Sequence, residues 1–130
     1  MIAAQFPKYA DLPVRAVRST ATVNAIYRLG DHLSVRLPRV EEWARDLEKE
    51  WNWLPRLAPH LSLRVPEPVG KGQPTASYPF SWAIYGWIDG RPYSDHLVND
   101  EHQAASDLAE FVVELRRIDP VGAPPGGRKP

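Results

Sequence analysis

Between Leu33 and Leu57 the apolar residues change their spacing, and that change limits the fold more than any other feature of the chain. Leu33, Val35 and Leu37 alternate with Ser34 and Arg36, the period of a strand with one apolar face. Beyond Pro38, Trp43, Leu47, Leu54 and Leu57 recur at the spacing of an amphipathic helix, which Pro55 is expected to end or kink near Leu54. Two more strand-like runs, residues 14–20 and 23–29, come before the first and reach it across a Gly30-Asp31 turn, so the three read as an antiparallel meander. Residues 63–72 and 81–90 read as two further strands, separated by the turn-rich stretch 73–77. Residues 99–119 read as a second long helix. Asn99 or Asp100 would cap it, Ala105, Leu108, Val112, Leu115 and Ile118 form its apolar stripe, and Pro120 lies beyond its end. The order is short helix, three strands, helix, two strands, helix. This predicts an α+β fold with a mixed, mostly antiparallel five-stranded sheet carrying a helix on one face.

A chain of 130 residues is about one domain's worth. Lys plus Arg and Asp plus Glu stand at 16 each with no run of like charge, so nothing predicts a hold on nucleic acid or on an anionic membrane. A small-molecule or protein partner fits better. Cysteine is absent, which removes disulfides, thiol chemistry and cysteine-bound zinc together and suits a reducing compartment. The opening MIAAQFPKYADLPVR lacks a basic region followed by a long apolar run, and no later stretch approaches the length of a membrane span. The expectation is a soluble, cytoplasmic protein. Proline gathers at segment edges and in the tail DPVGAPPGGRKP, residues 119–130, which cannot pack as a regular element and reads as a loop in a longer chain or a frayed end.

The chemistry-bearing residues are few. On a helical wheel Glu50 falls between Leu47 and Leu54, inside the apolar stripe, whereas Glu48 points well away. A carboxylate aimed at a sheet needs a cation, since desolvating an unpaired charge costs several kcal/mol. Arg36, mid-strand on the face opposite Leu33, Val35 and Leu37, is the candidate. The alternative is a glutamate that snorkels past the stripe's edge and an arginine in water. His32, His60, His96 and His102 show no ligand spacing, and no metal site is expected from them. Trp43, Trp51, Trp53, Trp82 and Trp87 are expected to pack cores and lobes.

A strand cation met by a helix glutamate is how kinase-like folds hold a charge over nucleotide phosphates. The stretches LSVR, EKEWNWLPRLAPHL and WAIYGWIDG, together with QFPKYADLPVR, NAIYRLGDHLSVRLPR, VPEPV and DLAEFVVELRRIDP, resemble the amino-terminal part of the aminoglycoside phosphotransferase family of antibiotic and small-metabolite kinases. The resemblance covers nearly the whole chain and rests on the order and spacing of several short motifs. It implies a nucleotide-binding small lobe over residues 1–88, the linker turn and first helix of a large lobe over 89–118, and a loop over 119–130. It also implies that Arg36 takes the place of the strand lysine and contacts the α and β phosphates, with Glu50 holding it. Tyr85 would stand at the back of the adenine pocket, with the Gly86 carbonyl and Ile88 amide as its hydrogen-bonding edge. The loop STATVN occupies the place of the phosphate-covering loop; it lacks the usual glycines, and Ser19 and Thr20 hydroxyls could donate in their stead, as they could in any hairpin turn.

The implied cofactor is ATP or GTP with Mg2+, and the implied reaction is transfer of the γ-phosphoryl group to a small hydroxyl-bearing substrate. The family's catalytic His-Gly-Asp loop, the Asn after it and a later Asp belong to the large lobe, and this chain has none of them. The chain therefore reads as a fragment with no catalytic residue of its own. Two other readings stay open: a non-catalytic binding or regulatory module using the same lobe, and a sugar- or choline-type kinase of the same superfamily.

Overall fold

The computed structural model describes residues 1–17, 24–90, 94, 96 and 98–122. Ser19 and Thr20, most of the STATVN loop and the tail beyond Gly122 lie outside them. A short helix α1 (Ile2–Gln5) and a 3-10 turn (Pro7–Tyr9) lead into β1 (Val14–Ala16), β2 (Asn24–Leu29) and β3 (Leu33–Pro38). Then follow α2 (Glu41–Leu57), β4 (Pro68–Gly72), β5 (Trp82–Gly86) and α3 (Glu101–Arg117). The sheet order is β1-β2-β3-β5-β4, with β5 between β3 and β4. Every pairing is antiparallel, so the sheet is not mixed. Gly30 at φ 62° makes the sharp β2–β3 turn, a backbone state that favours glycine.

Central position explains the composition of β5, whose Trp82, Ala83, Ile84 and Tyr85 are all fully buried. Trp82 and Ile84 join Leu29 and Val35 on one face, where Ile2, Phe6 and Tyr9 of the N-terminal segment cover them. Ala83 and Tyr85 point to the other face, against Leu47, Trp51 and Leu54 of α2. The apolar side of β3 thus packs under the N-terminal segment, and its Ser34–Arg36 side faces α2. Helix covers both faces of the sheet, where one was expected.

Several boundaries move for physical reasons. Pro55 does not end α2, which runs to Leu57 and closes with the Ala58 amide on the Leu54 carbonyl. A proline so near the C-terminus removes only one ladder bond. Of residues 63–72 only Pro68–Gly72 pair, with Pro68 at the first position of an edge strand, where a missing N–H is tolerated. The chain after Gly86 leaves the sheet instead of extending β5 to residue 90. Asp100, not Asn99, caps α3, its Oδ1 accepting from the Gln103 amide at 3.0 Å.

The expected apolar stripe of α3 faces outward except at Ile118. Leu108, Val112 and Leu115 are exposed, and Ala104, Asp107, Phe111, Glu114 and Ile118 are the partly buried positions. Glu114 ties the helix to the segment after α2, accepting from the Ser62 amide at 3.1 Å and hydroxyl at 2.6 Å; these bonds hold its carboxyl below the usual range. Among the described residues no helix is long and apolar enough to cross a membrane.

Trp82 lies flat across β4 because Gly72 has no side chain. A Cβ built at Gly72 would sit 1.8 Å from Trp82 Cε2, and Trp82 has no exposed surface through which to move away. Gly72→Ala should therefore cost about 2 kcal/mol or more, a fall in Tm of roughly 8 °C. Gly90→Ala, with nothing within 4 Å of the new carbon, should leave the melting curve in place. Equal melting of the two variants would show that the β4–β5 packing is wrongly placed.

Candidate functional site

The guanidinium of Arg36 leaves β3 on the face that α2 covers. Its Nη1 lies 3.2 Å from Glu50 Oε2, and its Cζ lies 4.7 Å from the centre of the Tyr85 ring. Register puts it there: Arg36 pairs with Ile26 of β2 on one side and Ala83 of β5 on the other, and the small Ala83 leaves room above the sheet. The Arg36 side chain is 23% exposed, so one side of the guanidinium remains open. Of the two arrangements open from spacing, the structure has the pair and not the solvated arginine.

Glu48 does not point away. It meets Lys71 of β4, which pairs across Ala83 from the Arg36 side of the strand. Two carboxylates of α2 thus straddle β5. Partly exposed pairs of this kind are worth at most about 1 kcal/mol each, whereas burying Leu47, the one fully buried side chain of α2, contributes about 2 kcal/mol or more. Leu47 docks the helix, and the ion pairs set its rotation.

Tyr85 is buried between these pairs. Its ring meets Trp51 edge-on with centroids 6.3 Å apart, and its hydroxyl has no hydrogen-bond partner among the described residues. Burial, reinforced by the negative charge of Glu50, pushes the phenol up to about 12.

A cleft of about 260 Å3 opens beside Arg36, lined by Val17, Ile26, Ser34, Arg36, Pro66, Gly86, Trp87 and Ile88. It brings together Arg36, Gly86 and Ile88; Glu50 reaches it through Arg36, and Tyr85 lies behind it toward α2. The chain leaving β5, from Gly86 to Ile88, bounds its outer edge. The Gly86 amide donates to the Glu67 carbonyl at 2.8 Å and the Trp87 amide to the His32 carbonyl at 2.7 Å, and the Ile88 amide has no partner among the described residues. The walls contributed by Val17 and Ile26 are apolar, with one cation at the back and one unpartnered amide at the edge. A flat heteroaromatic ring carrying an anionic tail suits that set. A hollow of about 490 Å3, between Leu54 and the segment Leu61 to Pro68, is lined by Arg64, which has no ion-pair partner among the described residues.

The described residues gather no group of three or more His, Asp or Glu side chains able to hold a metal. Ser34 shares the face of Arg36, so strand alternation alone could have added it to the site. Ile26 and Lys71 join only through sheet register, which carries no signal in a single sequence, and Val17, Pro66 and Trp87 come from segments just outside the strands.

Five antiparallel strands, a helix glutamate on a strand cation and the chain leaving β5 at the cleft's edge define the fold of a kinase-like small lobe. The sequence profile of the phosphotransferase enzyme family matches residues 14–130, and the chain belongs to that family. Among solved structures, the GDP and kanamycin complex of APH(2")-IIia is similar at TM-score 0.80 and 23% identity, over 92% of this chain and 41% of that one. The GDP complex of wild-type aminoglycoside 2'-phosphotransferase-IIIa is similar at TM-score 0.78 and 23% identity, over 92% and 40%. The ADP-bound aminoglycoside phosphotransferase APH(2'')-Ib gives TM-score 0.67 and 18% identity, over 89% and 40%. The chain spans about two fifths of the length of these structures. No curated protein matches it.

The orphaned Tyr85 hydroxyl makes a checkable demand. The native state keeps the proton to about pH 12, against an ordinary value of 10.0, so this group's stabilisation is complete below pH 10 and is lost as the pH rises towards 12. Tyr78, also raised to about 12 by burial, adds to the same loss. Tyr85→Phe should be neutral or slightly stabilising at pH 7 and should lose less stability than the parent between pH 10 and 12. Urea titrations at the two pH values test this; a variant destabilised by more than about 1 kcal/mol at pH 7 would reveal a partner for the hydroxyl.

Proposed function

We propose that this chain is the nucleotide-binding lobe of a small-molecule kinase that transfers the γ-phosphoryl group of ATP or GTP to a hydroxyl. Residues 1–88 form the lobe and its linker, and 89–118 begin the large lobe. One observation carries the reading: an arginine held by a helix carboxylate at the back of a cleft whose outer edge is the chain leaving β5, with the Ile88 amide unpartnered among the described residues. Membership of the phosphotransferase enzyme family supports it, as do similar structures described as GDP- and ADP-bound.

Arg36 binds the α and β phosphates with the donors that Glu50 leaves free. A guanidinium is flat, always charged and forked, so it can serve carboxylate and phosphate together. Ile26 and Val17 cover the base, the Gly86 carbonyl and Ile88 amide meet its edge, and Tyr85 closes the back. Ser19 and Thr20, outside the described residues, are assigned to the phosphate-covering loop. Mg2+ would neutralise charge on the phosphates, but no group of described residues suits it, so its ligands are assigned to the rest of the protein. The acceptor hydroxyl and the residue that positions it belong there as well. Kanamycin in one similar structure and streptomycin in the ATP complex of APH(2")-IIa make an aminoglycoside the first substrate to assay in the whole protein.

The 130-residue chain should therefore show no phosphoryl transfer, and ATP or GTP should bind near the millimolar range, about 4 kcal/mol. Arg36→Ala should weaken that binding about tenfold, the loss of a charge-assisted hydrogen bond, and Ser19→Ala and Thr20→Ala should have smaller effects. Ligand-observed NMR measures it. Micromolar binding indifferent to Arg36→Ala would put the nucleotide elsewhere, and turnover lost on mutating a residue of this chain would reveal a catalytic group in it.

A further inference from the structure

Arg28 stands one residue before the end of β2, on the sheet face that Ile26 and the cleft share, and no step above uses it. Its Nη2 donates to the Asp31 carbonyl at 3.1 Å and lies 3.8 Å from Asp89 Oδ1. Its Cζ lies 4.9 Å from the centre of the Trp87 ring. The same Asp89 Oδ1 accepts from Trp87 Nε1 at 3.1 Å, and the Trp87 amide is bonded to the carbonyl of His32. Residues 87 and 89 are thereby attached at several points to the β2–β3 turn. Directly after Asp89 comes Gly90, with nothing among the described residues within 4 Å of where a side chain would be.

We infer that Arg28 is a positioning residue for the linker edge, holding Trp87 and Asp89 so that the backbone from Gly86 to Ile88 keeps its place along the cleft. The inference rests on the nucleotide reading of that cleft. Arginine suits the task because one flat cation must cover an indole face and reach two oxygens at once, which an ammonium cannot do. Its position carries a cost. Arg15 of β1 is its direct cross-strand partner, an unfavourable like-charge pair, and its Nε is buried with no partner among the described residues. The stack on Trp87 and the pull of Asp89 offset both. Asp89 is 85% exposed, so the ion pair alone would hold little; the stack and the shared Asp89 oxygen make the attachment directional.

Nitrogen-15 NMR of the full 130-residue chain, without nucleotide, is the first test. Arg28→Met should move the Trp87 indole N–H and the Ile88 amide while leaving Leu47 and Ile84 in place. Arg28→Lys, which keeps the charge and loses the flat face, should move the same two resonances. So should Asp89→Asn, an exposed change that spares the fold and carries the test if Arg28→Met does not fold. Resonances of Trp87 and Ile88 that stay within a linewidth in the folded variants overturn the inference. In the second arm ATP and GTP are titrated, and Arg28→Met should weaken binding at least fivefold; parent-like affinity despite displaced resonances overturns the positioning role. If the parent chain binds neither nucleotide, the reading of the cleft fails, and the nucleotide-free spectra decide alone whether Arg28 holds the linker.

Discussion

A guanidinium on a sheet face that a helix covers is the constraint around which this lobe is arranged. Arg36 cannot be moved to the other face without turning Leu33, Val35 and Leu37 away from the core, because a strand alternates strictly. It must therefore be stabilised where it stands. Glu50 supplies charge, the Tyr85 ring supplies a π face, and the cleft supplies partial contact with water. Each partner imposes a condition on the next layer. Glu50 reaches Arg36 only if α2 lies along β3 and β5 with Leu47 inward, and Tyr85 presents its ring only because β5 is buried on both faces.

The hydroxyl of Tyr85 shows where that arrangement is imperfect. A phenylalanine would fill the same space without a buried, unpartnered oxygen, and nothing among the described residues gives the oxygen a role. Lys71 and Glu48 lie on the far side of the same ring and stop α2 from rolling, so that Glu50 stays on Arg36. The cleft's shape thus depends on a helix fixed from both sides of one strand.

How much of this can be read in the sequence differs by scale. The alternation at Leu33 to Leu37 and the helical recurrence from Trp43 to Leu57 are local signals, and they name the elements and the α+β class correctly. Glu50 was legible because its wheel position contradicts its charge. A wheel places Glu48 away from the stripe because it shows the angle and not the width of the sheet beneath; Lys71, at the edge, is far enough out to meet it. Pro55 signals a break by its general habit, yet in the last turn the loss is one bond. The cleft walls Val17, just past β1, and Ile26 of β2 depend on which residues lie beside Arg36, and register is set by pairing that leaves no local mark.

The exposed stripe of α3 follows a different logic from the sheet. Leu108, Val112 and Leu115 recur at the spacing of a core face, yet they meet solvent, while the partly buried side of the helix is attached through the polar pair Glu114–Ser62. An amphipathic helix with its apolar side outward has its hydrophobic contribution unrealised. The attachment that is present is exposed and polar, open to competition from water, so it orients the helix and cannot by itself hold it. On the proposed reading, the stripe belongs to the core of the large lobe, and Arg28, Trp87 and Asp89 join the chain after β5 to the β2–β3 turn. Stability in this chain is then unevenly divided: the central strands, with β5 buried on both faces, carry the core, and α3 contributes no buried residue to it.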